Sequence, residues 1–262
     1  MTTETVRAHA KLTWSLRMTG VRHDGFHLID AEMVALDLHD LMHITATPGT
    51  PSRLDVIGPF AEGVPTDESN LVLRALDHVG VDAAVVLDKR IPHGGGLGGG
   101  STDAAAALRW AGAGTDPDAL ADMARIGADI PICVVGGRAR VRGIGEVVEP
   151  LRFVDRWVTL VIPPLSVSTP AAYRAWDELG GPTGDAVDGP NDLEPAAIAV
   201  EPRLAEWRDA IRGQTGTRPV LAGSGATWFV EGRREKALAD LVDEGALVVE
   251  TRTIRAPEPS LG

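Results

Sequence analysis

Between residues 92 and 103 the chain reads Pro92-His93-Gly94-Gly95-Gly96-Leu97-Gly98-Gly99-Gly100-Ser101-Thr102-Asp103, six glycines in seven positions broken only by Leu97. Each glycine costs extra conformational entropy on folding, so a run this dense points to a backbone that must come close to something. A glycine loop that opens a helix turns unpaired N–H groups and the positive end of the helix dipole toward one point. Such a cradle binds phosphate without a basic side chain. The P-loop pattern fails here, because Gly99-Gly100-Ser101 carries no lysine. Gly94, Gly96 and Gly99 satisfy G-x-G-x-x-G, but any run this dense does, and it lies mid-chain rather than opening a βαβ unit. The plain alternative is a flexible surface loop. A linker made only of Gly and Leu does not ordinarily join a strand to a well-formed helix.

Other chemistry is weaker. His39 and His43 are four apart, yet Asp40 falls between them in a strand turn, so helical metal-ligand spacing is absent and no metal site is expected. Cys133 lies in an apolar segment read as a strand, which suits a core residue. Ser224 sits in Gly223-Ser224-Gly225, but a nucleophile elbow needs glycine at positions 222 and 226, where the chain has Ala.

The elements around the loop are mixed. Val6 to Met18 reads as a half-buried strand, Asp24-Gly25 as a turn, and Leu28 to Ile44 as a long strand kinked near His39-Asp40. Ser69 to Val79 has helical spacing, with Ser69 as N-cap. Ala83 to Leu87 predicts the strand before the loop, and a helix from about Ala104 to Trp110 follows it. Asp116 caps a helix over Pro117 to Ile126. After Asp129-Ile130-Pro131 the pattern returns to short strands through Val148, where Arg138, Arg140 and Arg142 alternate with Ala and Val as one solvated face. Trp157 to Ile162 begins a strand. Helices fit Pro170 to Leu179, Pro202 to Arg212 and Arg233 to Asp243. Gly180 to Pro190 reads as a loop, Val220 to Val230 as strand-turn-strand, and Ala246 to Thr253 as the last strand. The class is α+β, with a division between residues 1–152 and 153–262.

Composition narrows the partners. The 262 residues carry 25 Lys plus Arg against 37 Asp plus Glu, a formal charge of −12. That balance argues against nucleic acid and anionic membranes, which need a basic surface. One cysteine excludes a disulfide framework and fits a reducing cytoplasm. The first 20 residues hold Arg7, His9, Lys11 and Arg17 with no continuous apolar stretch, so no signal peptide is expected, and no run reaches the length of a membrane span.

At residues 92–102 the chain resembles the second motif of the GHMP small-molecule kinases. Ala10-Lys11-Leu12 resembles their first motif, and Leu221-Ala222-Gly223-Ser224-Gly225-Ala226 their third. Within that superfamily the likeness is greatest to the kinases acting on CDP-methylerythritol. It rests on Asp24-Gly25-Phe26-His27, Asp88-Lys89-Arg90-Ile91-Pro92, Gly127-Ala128-Asp129-Ile130-Pro131, Ser168-Thr169-Pro170 and Asn191-Asp192-Leu193-Glu194. The resemblance runs from residue 10 to about 226.

It implies a two-domain GHMP kinase fold, a ribosomal protein S5 domain 2-like N-terminal domain plus a ferredoxin-like C-terminal domain, with the site in the cleft. It implies ATP-dependent phosphorylation of a methylerythritol hydroxyl in non-mevalonate isoprenoid synthesis, with Mg²⁺. Asp129 is then the candidate base and Lys11 its partner, which keeps the carboxylate ionised and steadies the reacting oxygen or phosphate. Pro92 to Thr102 hold the nucleotide, with Asn70 and Lys89. Thr13, Phe26, His27, Thr169 and Tyr173 fall at substrate positions, His27 hydrogen-bonding cytosine and Phe26 and Tyr173 sandwiching it. One departure stands out. The family commonly has asparagine where this chain has Thr13, and a smaller aliphatic residue at Trp14, which leaves open a GHMP kinase for another alcohol. A non-catalytic nucleotide-binding homologue is the alternative from a different class, and the presence of both Lys11 and Asp129 argues against it. The expected partners are ATP and the small-molecule substrate, with the chain a monomer or weak homodimer.

Overall fold

Two antiparallel strands of unusual length start the chain, β1 (Thr3–Val21) and β2 (His27–Ala46), joined by the Asp24-Gly25 turn in which Arg22 N–H donates to the Phe26 carbonyl at 2.7 Å. The structure is a computed structural model and describes residues 2–92, 94–181, 183, 187 and 189–257. The two ends of β2 share one edge between two partners. Residues 41–46 pair β4 (Ala83–Asp88), and residues 29–34 pair β5 (Arg138–Gly143). β3 (Arg53–Ile57) lies parallel to β4, and β6 (Val147–Pro150) closes the far side. β1 pairs only β2 within this sheet, so its other edge is free to meet the rest of the molecule. It does so at two points: Lys11 N–H donates to the Leu97 carbonyl at 3.0 Å, and Leu16 exchanges backbone bonds with Pro190 and Asp192.

The second sheet has the order β10-β7-β9-β8, from β7 (Trp157–Ile162), β8 (Val220–Leu221), β9 (Trp228–Glu231) and β10 (Leu247–Arg252). Its helices are α5 (Thr169–Glu178), α6 (Glu194–Val200), α7 (Arg203–Thr215) and α8 (Ala239–Asp243). The first sheet carries α1 (Leu71–His78), α2 (Gly99–Trp110), α3 (Pro117–Ile126) and α4 (Ile130–Val135). One apolar cluster belongs to both halves: Leu12, Leu36, Ile91 and Leu97 from the first pack on Val158, Leu160 and Phe229 from the second. Leu97, the single side chain inside the glycine run, is 1% exposed and pins the loop to that shared core.

Several sequence expectations need correction. Asn70, not Ser69, caps α1, accepting from Val72 N–H at 2.9 Å, while Ser69 bonds to Asp67. α2 starts at Gly99, five residues early, because Gly98 at φ +70° turns the chain straight into the helix. The segment after Asp129 is α4 and not a strand. Its run of six apolar residues has no readable period, and Pro131 in its first turn favours a helix. Cys133 therefore lies on a helix, buried, and burial pushes its thiol up. Residues 233–243 form a 3₁₀ turn followed by the short α8. β3 and α6 are additions that the hydrophobic pattern did not mark. The β5 arginines do share an outward face, each paired with a neighbouring-strand carboxylate: Arg138 with Glu32, Arg140 with Asp30, Arg142 with Glu149.

Candidate active site

Lys11 stands in β1 between two fully buried residues, Ala10 and Leu12, just past a shift in the β1–β2 register. Such irregularities re-aim side chains. Its ammonium lies 3.1 Å from the Asp129 carboxylate and 3.3 Å from the Thr13 hydroxyl. Lys11 is 7% exposed, whereas the Asp129 side chain is 34% exposed. Asp129 occupies the cap position of α4 with helical backbone angles and makes no capping bond. Its carboxylate is thus left to Lys11 on one side and to solvent on the other. An acceptor hydroxyl would approach from the solvent side.

The glycine loop wraps the same lysine. A β-carbon on Gly98 would lie 2.7 Å from Lys11 Cγ, and one on Gly96 would lie 2.5 Å from the Ala222 carbonyl oxygen. Both residues have positive φ, +70° and +77°. These glycines therefore answer to protein neighbours as well as to any ligand. The end of α2 is left open: its N-cap is Gly98, no side chain caps it, and the Ser101 hydroxyl makes no hydrogen bond to another described residue. Thr102 is buried, its hydroxyl donating to the Gly99 carbonyl at 2.8 Å. Pro92 is buried behind the loop, and His93 lies outside the described residues. Gly98→Ala is expected to lower kcat about 10-fold, since a displaced lysine loses its alignment. Its left-handed backbone adds a stability cost of about 1–2 kcal/mol. Steady-state kinetics beside a thermal melt would check both.

Beneath the loop lies a buried ion cluster. Lys89 Nζ reaches Asp40 and, at 2.8 Å, Asp103. Lys89 is 2% exposed, and both carboxylates are buried. Asp40 is fully used: one oxygen accepts from the Arg90 and Ile91 backbone N–H groups and the other from Lys89. Asp103 is not, because its Oδ1 has no partner among the described residues. Burial pushes the Asp103 carboxyl up, against the opposing pull of Lys89.

The remaining candidates lie on β1–β2, α5 and the 222–226 turn. His27 Nε2 meets the Asp177 carboxylate at 2.9 Å, and its ring lies 4.8 Å from Tyr173 and 5.6 Å from Trp176. Burial pushes the Tyr173 hydroxyl up to about 12, with the Asp129 charge adding to it. Phe26 is 55% exposed with the Arg22 guanidinium over its face, and no ring contact joins it to Tyr173 among the described residues. Thr169, at the start of α5, shares a hydrogen bond of 2.8 Å with Ser224 of the 222–226 turn. Asn191 fixes that turn by donating to the Leu221 and Gly223 carbonyls at 2.8 and 2.7 Å. Asn70 is spent on capping α1 and on the Pro65 carbonyl.

Residues 70–137 match the family described as "GHMP kinases N terminal domain". A 4-diphosphocytidyl-2-C-methyl-D-erythritol kinase from Paracoccus denitrificans is 39% identical over 239 residues, 85% of this chain and 84% of its own length. One from Cereibacter sphaeroides is 38% identical over 246 residues, 85% of this chain and 87% of its own. This chain belongs to the 4-diphosphocytidyl-2-C-methyl-D-erythritol kinase family. A crystal structure of 4-(cytidine 5'-diphospho)-2C-methyl-D-erythritol kinase superposes with a TM-score of 0.75 at 29% identity, covering 96% of this chain and all of the other. A homoserine kinase from Cytophaga hutchinsonii superposes at 0.67 and 17% identity over 97% of this chain and 95% of its own, a likeness of fold.

For this member of the 4-diphosphocytidyl-2-C-methyl-D-erythritol kinase family, the structure brings Lys11, Thr13, Asp129 and the glycine loop together, and separately His27 with Tyr173. Sequence reasoning missed the service that Asp40 and Asp103 give beneath the loop. For Asp40 a signal was present: it shares the even-numbered register of Leu36, Met42 and Ile44, all fully buried, and a charge in such a row needs a buried partner.

Proposed function

We propose that this chain transfers the γ-phosphoryl group of ATP to a hydroxyl of 4-diphosphocytidyl-2-C-methyl-D-erythritol, a step of isoprenoid precursor synthesis. The observation that carries the reading is the Lys11–Asp129 pair at 3.1 Å, set beside the uncapped N-terminus of α2. The first-turn N–H groups of α2 and the Ser101 hydroxyl hold phosphate oxygens. Asp129 orients the acceptor hydroxyl and takes its proton as the oxygen attacks Pγ and the bond to ADP breaks. Lys11 offsets the charge that gathers on the transferring group. Oxygen donors fit a hard ion here, so Mg²⁺ arriving with the nucleotide would be held by its phosphates, water and Ser101, and would neutralise phosphate charge.

At the other end, a carboxylate can only accept, so the His27–Asp177 contact places a proton on Nε2. That leaves Nδ1 facing away from Asp177 for a hydrogen bond to the cytosine base. Tyr173 and Phe26 would supply the two rings that flank the base. The reading includes a division of the chain at 152/153, a cytoplasmic location and a monomer or weak homodimer. No helix among the described residues is long and apolar enough to cross a membrane. A second reading, another small alcohol as acceptor, draws on Thr13, whose buried hydroxyl is engaged by Lys11 rather than turned to the cleft.

ADP release from ATP and Mg²⁺, with and without the cytidine substrate, decides between them. Strong substrate-dependent release supports the first reading, and release only with another alcohol supports the second. His27→Ala is expected to raise KM for the cytidine substrate about 10-fold, the worth of one good hydrogen bond to a base, with KM for ATP unchanged. Equal loss of both would reject the assigned pocket.

A further inference from the structure

The β1–β2 ladder is interrupted beside the catalytic lysine. His9 pairs with His39 and Lys11 with Ala35, so β1 advances two residues where β2 advances four, and Leu36 to Leu38 bulge from the ladder. The bulge is hooked by the second half of the molecule: Leu38 N–H donates to Thr251 Oγ1 at 3.1 Å, and Ile254 N–H to the Ala35 carbonyl at 2.9 Å. It leaves three side chains on one side. A ligand atom from each of His9, Asp37 and His39 lies within 4.8 Å of the other two, and the imidazole centroids are 5.1 Å apart.

Each imidazole is anchored to the backbone through one nitrogen. His9 Nδ1 meets the Leu36 carbonyl at 2.9 Å, and His39 Nδ1 meets the Asp37 carbonyl at 2.5 Å. A carbonyl only accepts, so both Nδ1 atoms carry the proton and both lone pairs fall on Nε2. Neither Nε2 hydrogen-bonds to another described residue. Backbone-anchored Nδ1–H with a free Nε2 is the arrangement that fixes ring tautomer and orientation in metal-ligating histidines.

We propose that His9, His39 and Asp37 form a second site, separate from the kinase centre, that binds one divalent transition-metal ion of the Zn²⁺ class. Two imidazoles and one carboxylate select zinc-like ions over Mg²⁺ and Ca²⁺, and three protein ligands leave a position for water. The competing charges are Arg252, 3.7 Å from Asp37 in a half-exposed pair, and Arg109, whose charge acts on His9. The first is exposed enough to yield to a stronger cation. A bound ion would staple β1 to β2 two residues before Lys11, at the point where the bulge sets how that lysine leaves the strand.

The test titrates the purified full chain, stripped with chelator, with Zn²⁺ by calorimetry and with Co²⁺ by visible absorption. One equivalent is expected to bind, with Co²⁺ giving the ligand-field bands of a low-coordinate nitrogen–oxygen site and Zn²⁺ raising the melting temperature. His39→Ala and the exposed-side variant Asp37→Ala are each expected to weaken Zn²⁺ binding about 10-fold or more. Kinase activity without Zn²⁺ should be unchanged in both. Absence of binding to the unmutated chain, or the same affinity in both variants, overturns the proposal.

Discussion

Asp129→Asn is expected to reduce phosphoryl transfer by about 10²- to 10⁴-fold while ATP binding stays nearly intact. The expectation rests on how the carboxylate is held. It is not consumed by its own helix, since it makes no capping bond in α4, and it is one-third exposed, so its removal leaves the fold largely alone. Asparagine keeps the size and can still accept a hydrogen bond from Lys11. It cannot take a proton from an attacking hydroxyl. Lys11→Met serves as the complementary variant: it removes charge stabilisation but leaves a carboxylate, so its loss should fall on kcat as well. ADP release under saturating substrate, paired with calorimetric titration of ATP, measures both quantities. Transfer within about tenfold of the unmutated chain would show that Asp129 only positions, and that the proton leaves to solvent.

Much of this site was legible in the chain because its parts are local. A glycine run between a strand and a helix points to phosphate chemistry within a dozen residues, and the Asp116 cap with Pro117 names the start of α3 to the residue. The long pairing of β1 and β2 was readable from alternation and one Asp-Gly turn. What failed did so for physical reasons. Ile130 to Val135 is uniformly apolar, so its period carries no signal, and a helix was read as strand. The glycines were read as making room for a ligand. Gly96 and Gly98 also make room for the Ala222 carbonyl and for Lys11, contacts more than 85 residues apart in sequence, which no local pattern reports. The proposal that Phe26 and Tyr173 flank a base draws only on the family likeness, because composition treats both as core. The tie between His27 and Asp177 spans 150 residues and belongs to the same blind region.

Lys89 divides the two ways of reading a lysine beside a phosphate loop. If its ammonium touched ATP, Lys89→Met would raise KM for ATP and leave stability alone. The structure puts that ammonium between Asp40 and Asp103 at 2% exposure, so the expected result is the reverse: destabilisation of about 3–5 kcal/mol, because the two buried carboxyls lose the cation they share. For a chain of this size that is a fall in melting temperature on the order of 10 °C. Asp103→Asn separates the two carboxylates. Asp40 has three donors, whereas Asp103, pushed up by burial and with no partner on Oδ1 among the described residues, is the costly charge. The sign follows from proton binding. A folded carboxyl raised above its unfolded value of about 3.9 keeps its proton while the unfolded chain loses it. That contribution to stability is present at low pH and is lost as pH rises through the folded value. Asp103→Asn removes the loss, so its melting temperature should gain on the unmutated chain as pH moves from mildly acidic to mildly alkaline. In the Lys89→Met background the same substitution should recover part of the lost stability, since it removes a titrating carboxyl from a buried site that has lost its cation. Melts of the four proteins at two pH values test the cluster. If Lys89→Met melts with the unmutated chain and only its KM for ATP rises, the lysine belongs to the nucleotide and the loop is held by other means.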